Sequence, residues 1–229
     1  MNVMNVKVYG LLESAVASGY PMSTSVKDDM DFNFMAWDMY ENALDEKDKS
    51  VLQDAYDSVE ESLKRLEKLG NTMSGSGHDC ALKGITVQGD LTCSQAMHMQ
   101  ILRYHFFDIV SSQSKMHKLL QMDISKQCNE FVNENILDNL KMLIEEYNEA
   151  INNGAFDTEL AKALYLEILY SCPIGLELTF RFTTNYLQLK TIFNQRKYHK
   201  LPEWRLFCWW ILKLPKFKEL IGYGEEEEE

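Results

Sequence analysis

Apolar residues recur every three or four positions between residues 45 and 69, which is the pattern of an amphipathic helix. These positions are Val51, Leu52, Ala55, Val59, Leu63, Leu66 and Leu69. Gly70 follows where a glycine commonly ends a helix, so we predict a helix over 45–69 that is closed by Gly70. Residues 71–77 are rich in Ser, Gly and Asn, which predicts a flexible loop before His78.

Apolar and polar residues alternate between residues 85 and 91, which is the pattern of a short, half-buried strand. The apolar positions are Ile85, Val87 and Leu91, and the polar ones are Thr86, Gln88 and Asp90. Gly89 weakens this pattern, because glycine inside a strand has no side chain to pack. Thr92 or Ser94 can then cap a helix that runs through Arg103.

The second half of the chain has the pattern of three further helices, one strand and a last helix. A strong amphipathic helix is predicted over 131–153, ending at Gly154. Asp157 is a suitable N-cap for a helix over 158–170, which stops before Pro173. Residues 176–184 are rich in β-branched and aromatic residues, which predicts a strand. Thr184 can cap a helix over 185–197, and Pro202 sets the start of a helix that continues to residue 214.

These elements predict an α+β protein, a helix-rich single domain with a small sheet. The chain has 229 residues, which fits one domain, and we place that domain at 1–224. Residues 1–70 are expected to form its divergent, helical N-terminal part. The five glutamates at 225–229 are expected to be a disordered acidic tail.

Composition excludes several classes of protein. The net charge of −12 disfavours binding to nucleic acid through a broad basic face, although a small anionic ligand remains compatible with it. The five cysteines are scattered and form no CxxC pair, so we expect no disulfide framework and no zinc site. No signal peptide or long apolar segment is evident, so we expect a cytoplasmic protein without a membrane span. His98 and His117 lack metal-ligand spacing, and no metal site is predicted.

Arginine is rare in this chain, and its placement is the main indication of chemistry. Only five arginines occur, and Arg65 belongs to a charged helix face. Gln100 and Arg103 are three residues apart, so on a helix both can reach one ligand, and a guanidinium suits phosphate. A salt bridge between helices is the alternative for Arg103. Residues 111–117 bring hydroxyls, an amide and cations into one turn, which can hold an anion or be a solvated loop.

Taken together, these motifs resemble those of the flavin-dependent thymidylate synthases. That family has a Gly-His pair before a strand, a helix with Gln-x-x-Arg-His-Arg, a turn with Asn-Glu-x-Ser-x-Arg, and two C-terminal segments rich in Asn, Arg and Trp. This chain has Gly77-His78, Gln100-x-x-Arg103-Tyr104-His105, Ser111-Ser112-Gln113-Ser114-Lys115-Met116, Thr183-Thr184-Asn185 with Arg196, and Leu201-Pro202-Glu203-Trp204-Arg205. The order and approximate spacing are kept from Gly77 to Arg205.

The resemblance implies a reaction in which reduced FAD delivers a hydride to a pyrimidine deoxynucleoside monophosphate. Methylenetetrahydrofolate would supply the one-carbon unit and NADPH would reload the flavin. The substrate would be dUMP first and dCMP second, and the transferred group a methyl or hydroxymethyl at C5. Such enzymes need no cysteine nucleophile and are homotetramers, so we expect a homotetramer here.

The resemblance also assigns roles to individual residues. Arg196 and Ser114 would be catalytic, with Arg196 polarising a pyrimidine carbonyl as negative charge develops. The nucleotide would be held by Gln100, Arg103, Ser112, Gln113, Ser114, Lys162 and Arg196. The flavin would be lined by His78, Arg103, Tyr104, His105, Asn185 and His199. Trp204, Trp209 and Trp210 are expected to bury one helix face, and Arg205 to serve as helix scaffolding.

The chain departs from the family pattern at several positions. Tyr104 and His105 replace a histidine and an arginine, Ser111 and Ser112 replace an Asn-Glu pair, and Met116 replaces an arginine. The usual glutamate contact to the nucleotide is therefore missing. These losses support a second hypothesis, a non-catalytic nucleotide-binding or protein-interaction module on the same fold. A plain helical interaction protein is a third, but it leaves the gathering of basic and amide residues unexplained.

Overall fold

The computed structural model describes residues 1–23 and 49–224, with the backbone alone described for 49–58. The predicted helix start at Asp45 and the acidic tail at 225–229 lie outside the described residues. The described part is helix-rich with one four-stranded antiparallel sheet, which confirms the α+β prediction. Its strands are β1 (Asn2–Tyr9), β2 (Thr86–Ser94), β3 (Phe107–Ser112) and β4 (Glu177–Asn185). Their order across the sheet is β1-β2-β4-β3.

The described helices are numbered here in chain order. They are α1 (Leu11–Ala17), α2 (Lys49–Gly70), α3 (Gln95–Ile101), α4 (Lys115–Lys118), α5 (Ile124–Gln127), α6 (Glu134–Asn152), α7 (Glu159–Tyr170), α8 (Tyr186–Arg196), α9 (Pro202–Ile211) and α10 (Phe217–Ile221). Three 3₁₀ helices, Tyr20–Met22, His78–Gly84 and Leu119–Gln121, connect some of them. No helix in the described part of the chain is long and apolar enough to cross a membrane.

Two side-chain contacts show which residues of β2 and β4 lie opposite each other. The hydroxyls of Thr92 and Thr179 are 2.8 Å apart, and Arg181 contacts Asp90 with an N–O distance of 3.0 Å. The residue numbers rise along one strand as they fall along the other, which is the antiparallel arrangement. Asn5 of β1 donates to Asp90 as well, and this hydrogen bond, followed by the one from Arg181, lowers the pKa of Asp90.

The chain forms two compact units. Unit 1 contains Met1–Asn5 and Gly89–Phe182, and unit 2 contains Val6–Gln88 and Thr183–Glu229. In unit 1, α6 packs against α7 and α5, and their apolar faces enclose a cluster of Leu119, Ile124, Leu140, Ile168 and Leu176. In unit 2, α1 and α10 pack on α2, and α8 packs on α9.

Several predicted boundaries require correction. Residues 2–9 form a strand, although residues 1–70 were predicted to be helical. Residues 107–112 form β3, where no strand was predicted. Helix α3 begins after Ser94, as one of the two predicted caps required, but it ends at Ile101 and leaves Arg103 in the following turn.

Three further corrections concern the ends of helices. Thr158, and not Asp157, caps α7, because Asp157 has a left-handed backbone with φ of 56°. Asn185, and not Thr184, caps α8, because the Asn185 side chain accepts from the Gln188 N–H. Gly70 is the last residue of α2 and not its cap. A Cβ at Gly70 would collide with the carbonyl of Leu220, so the glycine permits close backbone packing.

A buried ion pair joins α8 to the 3₁₀ helix His78–Gly84 within unit 2. Lys190 Nζ lies 2.8 Å from Asp79 Oδ2, and the two residues are 4% and 2% exposed. The ammonium group also donates to the carbonyls of Gly70 at 2.7 Å and Thr72 at 2.6 Å. Its three protons therefore all have acceptors, which burial of a lysine requires.

We expect Lys190→Met to reduce the free energy of unfolding by about 3–5 kcal/mol, because it leaves the Asp79 carboxylate buried without its partner. Urea denaturation measures this loss. The matched control is Lys141→Met, which removes an exposed pair with Asp138 and should cost at most about 1 kcal/mol. Equal losses in the two variants would contradict the structural role of Lys190.

Candidate functional site

The structure distributes the predicted site residues between the two units. Unit 1 holds Gln100, Arg103, Tyr104, His105, Ser112, Gln113, Ser114 and Lys162, and unit 2 holds His78, Asn185, Arg196 and His199. Each group is described within its own unit.

In unit 1, Arg103 follows α3 in a turn. The Arg103 N–H donates to the carbonyl of Gln100 at 3.3 Å, so these two residues stay close although α3 has ended. The Arg103 side chain is exposed and has no ion-pair partner among the described residues. Its guanidinium is therefore available to an anionic ligand. His105 is exposed as well, and Tyr104 is half-buried.

The segment after β3 does not form the single turn that was predicted. Ser111 and Ser112 end the strand, and Gln113 continues its pairing with β4: its N–H donates to the Thr179 carbonyl at 2.9 Å. The Gln113 side-chain oxygen accepts a hydrogen bond from the Thr179 N–H at 2.8 Å, so this oxygen contributes to the pairing with β4. Ser114 precedes α4, and its hydroxyl does not cap that helix. The Ser114 hydroxyl is therefore not used by the fold at this turn.

Lys162 lies on the exposed face of α7. Its ammonium group is 3.1 Å from Glu159 and 3.6 Å from Asp157. A lysine that already faces two carboxylates is a weaker phosphate ligand than Arg103, because binding a phosphate must displace or compete with them. Of the two cations, Arg103 is the better candidate ligand for a phosphate group.

In unit 2, the end of α8, the turn that follows it and the first part of α9 contribute a basic cluster, defined here as Arg196, His199 and Arg205. The guanidinium carbon of Arg196 lies 4.9 Å from the ring centre of buried Trp204, which is a cation–π contact. Arg205 donates to the carbonyls of His199 at 2.8 Å and Lys200 at 3.3 Å. Arg205 thus supports the turn before α9, whereas Arg196 packs against the indole of Trp204.

The tryptophans of α9 are not all buried together. Trp204 is fully buried, but Trp209 is exposed and Trp210 is half-buried. The expected single buried face is therefore correct for Trp204 and wrong for Trp209.

His199 is a neutral hydrogen-bonding group at neutral pH. Burial, and then the charges of Arg196 and Arg205, lower the pKa of His199 below its ordinary value. Its Nδ1 accepts from the Leu201 N–H at 3.1 Å, so in the neutral ring the proton is on Nε2. The basic cluster therefore presents two permanent cations and one neutral N–H donor.

The remaining residues predicted for the flavin occupy different surroundings. Asn185 uses its side-chain oxygen to cap α8, which leaves its amide N–H groups as the donors that it can offer to a ligand. His78 is exposed and lines a cavity of about 980 Å³ in unit 2. Arg65, which was interpreted as part of an ordinary charged helix face, lines the same cavity. Arg65 and the buried Lys190 are the two basic residues that sequence reasoning missed.

Two other observations bear on the chemistry. Burial raises the pKa of Cys208 to about 12 and that of Cys128 to about 11, so both remain thiols at neutral pH and are poor nucleophiles. Among the described residues, no group of three His, Cys, Asp or Glu side chains is arranged to hold a metal ion.

The fold is that of the flavin-dependent thymidylate synthases. A crystal structure of flavin-dependent thymidylate synthase ThyX from Helicobacter pylori, complexed with FAD and dUMP, is 15% identical in sequence with a TM-score of 0.58. A second structure of ThyX from the same organism, also with FAD and dUMP, is 13% identical with a TM-score of 0.60. Each similarity covers 96% of this chain and 97% of the other. No protein-family model and no curated protein sequence matches the chain.

We expect Arg196→Gln to raise the pKa of His199 towards its ordinary value of about 6.5, because it removes one nearby positive charge. The pKa of His199 is lower in the folded protein than in the unfolded chain. The stability that neutral His199 contributes is therefore fully present above about pH 6.5 and is lost as the pH falls through the folded pKa. An NMR titration of the imidazole measures the shift, with Lys141→Gln as control. An unchanged or lower His199 pKa in Arg196→Gln would contradict the electrostatic account of the cluster.

Proposed function

We propose that this protein is a divergent flavin-dependent thymidylate synthase that transfers a one-carbon unit to C5 of a pyrimidine deoxynucleoside monophosphate, with dUMP as first substrate. The observation that carries the proposal is that the fold resembles structures with FAD and dUMP over nearly the whole chain, while the motif residues occur along the sequence in the family's order. Deoxycytidylate and hydroxymethyl transfer are the nearest variants of the same chemistry.

The surroundings of Arg103 support the proposed nucleotide ligand. The exposed Arg103 guanidinium has no carboxylate partner in the described part of the chain, and a phosphate is a suitable ligand for such a group. Gln100 lies in the last turn of α3 and Arg103 lies in the turn after that helix, so both can contact one nucleotide. His78, Tyr104, His105, Asn185 and His199 are the residues we assign to the flavin.

In the proposed reaction, the cofactors supply the reacting groups and the residues of this chain bind and polarise the nucleotide. Reduced FAD would supply the hydride, methylenetetrahydrofolate the one-carbon unit, and NADPH the electrons that reload the flavin. Arg196 would donate to a pyrimidine carbonyl and stabilise negative charge there as C5 becomes nucleophilic. Its contact with Trp204 restricts the movement of the guanidinium, which reduces the entropy lost when the nucleotide binds. Ser114 and Ser112 would donate to the nucleotide base or phosphate.

A non-catalytic nucleotide-binding module is the competing function. It is favoured by the serines at 111 and 112 and by Met116, since these positions lack the acidic and basic groups of the family pattern. We further propose that the chain is a cytoplasmic homotetramer and that residues 1–224 form one domain, as the resemblance implies.

The purified protein should bind FAD, and in the absence of oxygen its reduced FAD should be oxidised only when dUMP and methylenetetrahydrofolate are both present. Arg103→Gln and Arg196→Gln should each weaken dUMP binding by about tenfold or more, because each removes a charge-assisted hydrogen bond. Calorimetry measures binding, stopped-flow absorbance measures flavin oxidation, and Lys200→Gln serves as the exposed control.

The outcomes separate the two functions. Nucleotide binding with no flavin oxidation would select the non-catalytic module. A protein that binds neither FAD nor dUMP would contradict both.

A further inference from the structure

We propose that the cavity in unit 2 binds a small molecule with an apolar body and one acidic group, and that Arg65 holds the acidic group. This cavity is distinct from the flavin and nucleotide site proposed above, because the two share only His78. The proposal does not require that the chain bind flavin. The cavity lies among α1, the 3₁₀ helix Tyr20–Met22, α2 and the 3₁₀ helix His78–Gly84.

The size and walls of the cavity fit a small-molecule site. Its volume of about 980 Å³ is at the upper end of the range of roughly 300–1,000 Å³ that ligand pockets occupy. Ala17, Pro21, Leu69 and Ala81 contribute apolar surface to its lining. An apolar molecule therefore gains from leaving water at this site.

Arg65 is held in the cavity by two hydroxyl groups. Its Nε donates to Ser18 Oγ at 3.2 Å and one terminal nitrogen donates to Ser62 Oγ at 3.0 Å. Both serines are buried, with 8% and 5% exposure, so their positions are fixed by the packing of α1 and α2. Two hydroxyls orient a guanidinium, but they do not neutralise its charge.

No carboxylate pairs with Arg65 among the described residues. A half-buried guanidinium in apolar surroundings has lost part of its hydration, and an anion that approaches it compensates that loss. Lys68 and His78 also line the cavity, whereas Glu13 is its one acidic lining residue in the described part of the chain and is exposed. The charge of the lining therefore favours an anionic ligand.

Gly19 gives the guanidinium the space that it occupies. A Cβ at Gly19 would lie 2.9 Å from the guanidinium carbon of Arg65 and 3.0 Å from both terminal nitrogens. The backbone of Gly19 has φ of −86°, which any residue adopts, so an alanine there acts only through its contact with Arg65. Gly19→Ala is thus a second, independent way to displace the guanidinium.

Two fluorescent probes test the proposal, because they share one aromatic body and differ in charge. They are 8-anilinonaphthalene-1-sulfonate, which carries a sulfonate, and the neutral N-phenyl-1-naphthylamine. The wild-type protein should bind the sulfonate more tightly. Arg65→Gln should weaken sulfonate binding about tenfold and leave the neutral probe within about twofold. Gly19→Ala should shift the sulfonate in the same direction.

Lys64→Gln is the matched control, because Lys64 is the neighbouring cation on α2, is exposed and does not line the cavity. It should leave both affinities unchanged. Ala17→Phe places a ring in the cavity and should weaken both probes, with circular dichroism confirming that each variant is folded. Equal sulfonate affinities in Arg65→Gln and Lys64→Gln would overturn the role of Arg65. Sulfonate binding that persists in folded Ala17→Phe would overturn the site itself.

Discussion

The ammonium group of Lys190 and the carboxylate of Asp79 are the constraint on which much of unit 2 depends. The pair is buried, and the two further bonds of Lys190 reach the carbonyls of Gly70 and Thr72. One side chain on α8 therefore holds the end of α2, the loop that follows it, and the start of the 3₁₀ helix His78–Gly84. Because a buried charge tolerates little displacement from its partners, these three segments are fixed together. This network therefore fixes the position of His78 and of the wall of the cavity that His78 lines.

The scarcity of arginine is informative only once the partners of each guanidinium are known. Arg181 contacts an aspartate across β2 and β4, and Arg205 donates to two backbone carbonyls, so both contribute to the fold. Arg103 lacks an ion-pair partner among the described residues, and Arg196 lies over an indole. Among the described residues, Arg65 is oriented by the hydroxyls of Ser18 and Ser62. Arg103 and Arg65 have no carboxylate partner among the described residues, and we propose both as ligand-binding groups on that ground, whereas the role proposed for Arg196 rests on the resemblance.

Periodic patterns predicted what depends on local sequence. The helices around residues 49–70, 134–152 and 159–170, and the strands at 86–94 and 177–185, follow from spacing and end signals, with errors of a few residues. Strands β1 and β3 were not predicted, because strands gain much of their stability from neighbouring strands that are distant in sequence. The partner of Lys190 is 111 residues away, and no local signal identifies it. A lysine among the buried positions of α8 was nevertheless a sign of an interior acidic partner.

The residues of the candidate site were predicted from sequence motifs. Motifs do not show which of these side chains the fold itself uses for hydrogen bonds. The order of the motifs indicated the fold, and the fold is confirmed. The use of Gln113 by the sheet and of Asn185 as a helix cap depends on backbone contacts that no motif encodes. The most direct test of the account is a titration of the FAD-loaded protein with dUMP, followed by the flavin absorbance spectrum. The account predicts a saturable change in that spectrum, because nucleotide and flavin would share one site; a bound flavin whose spectrum dUMP leaves unchanged at saturation would contradict it.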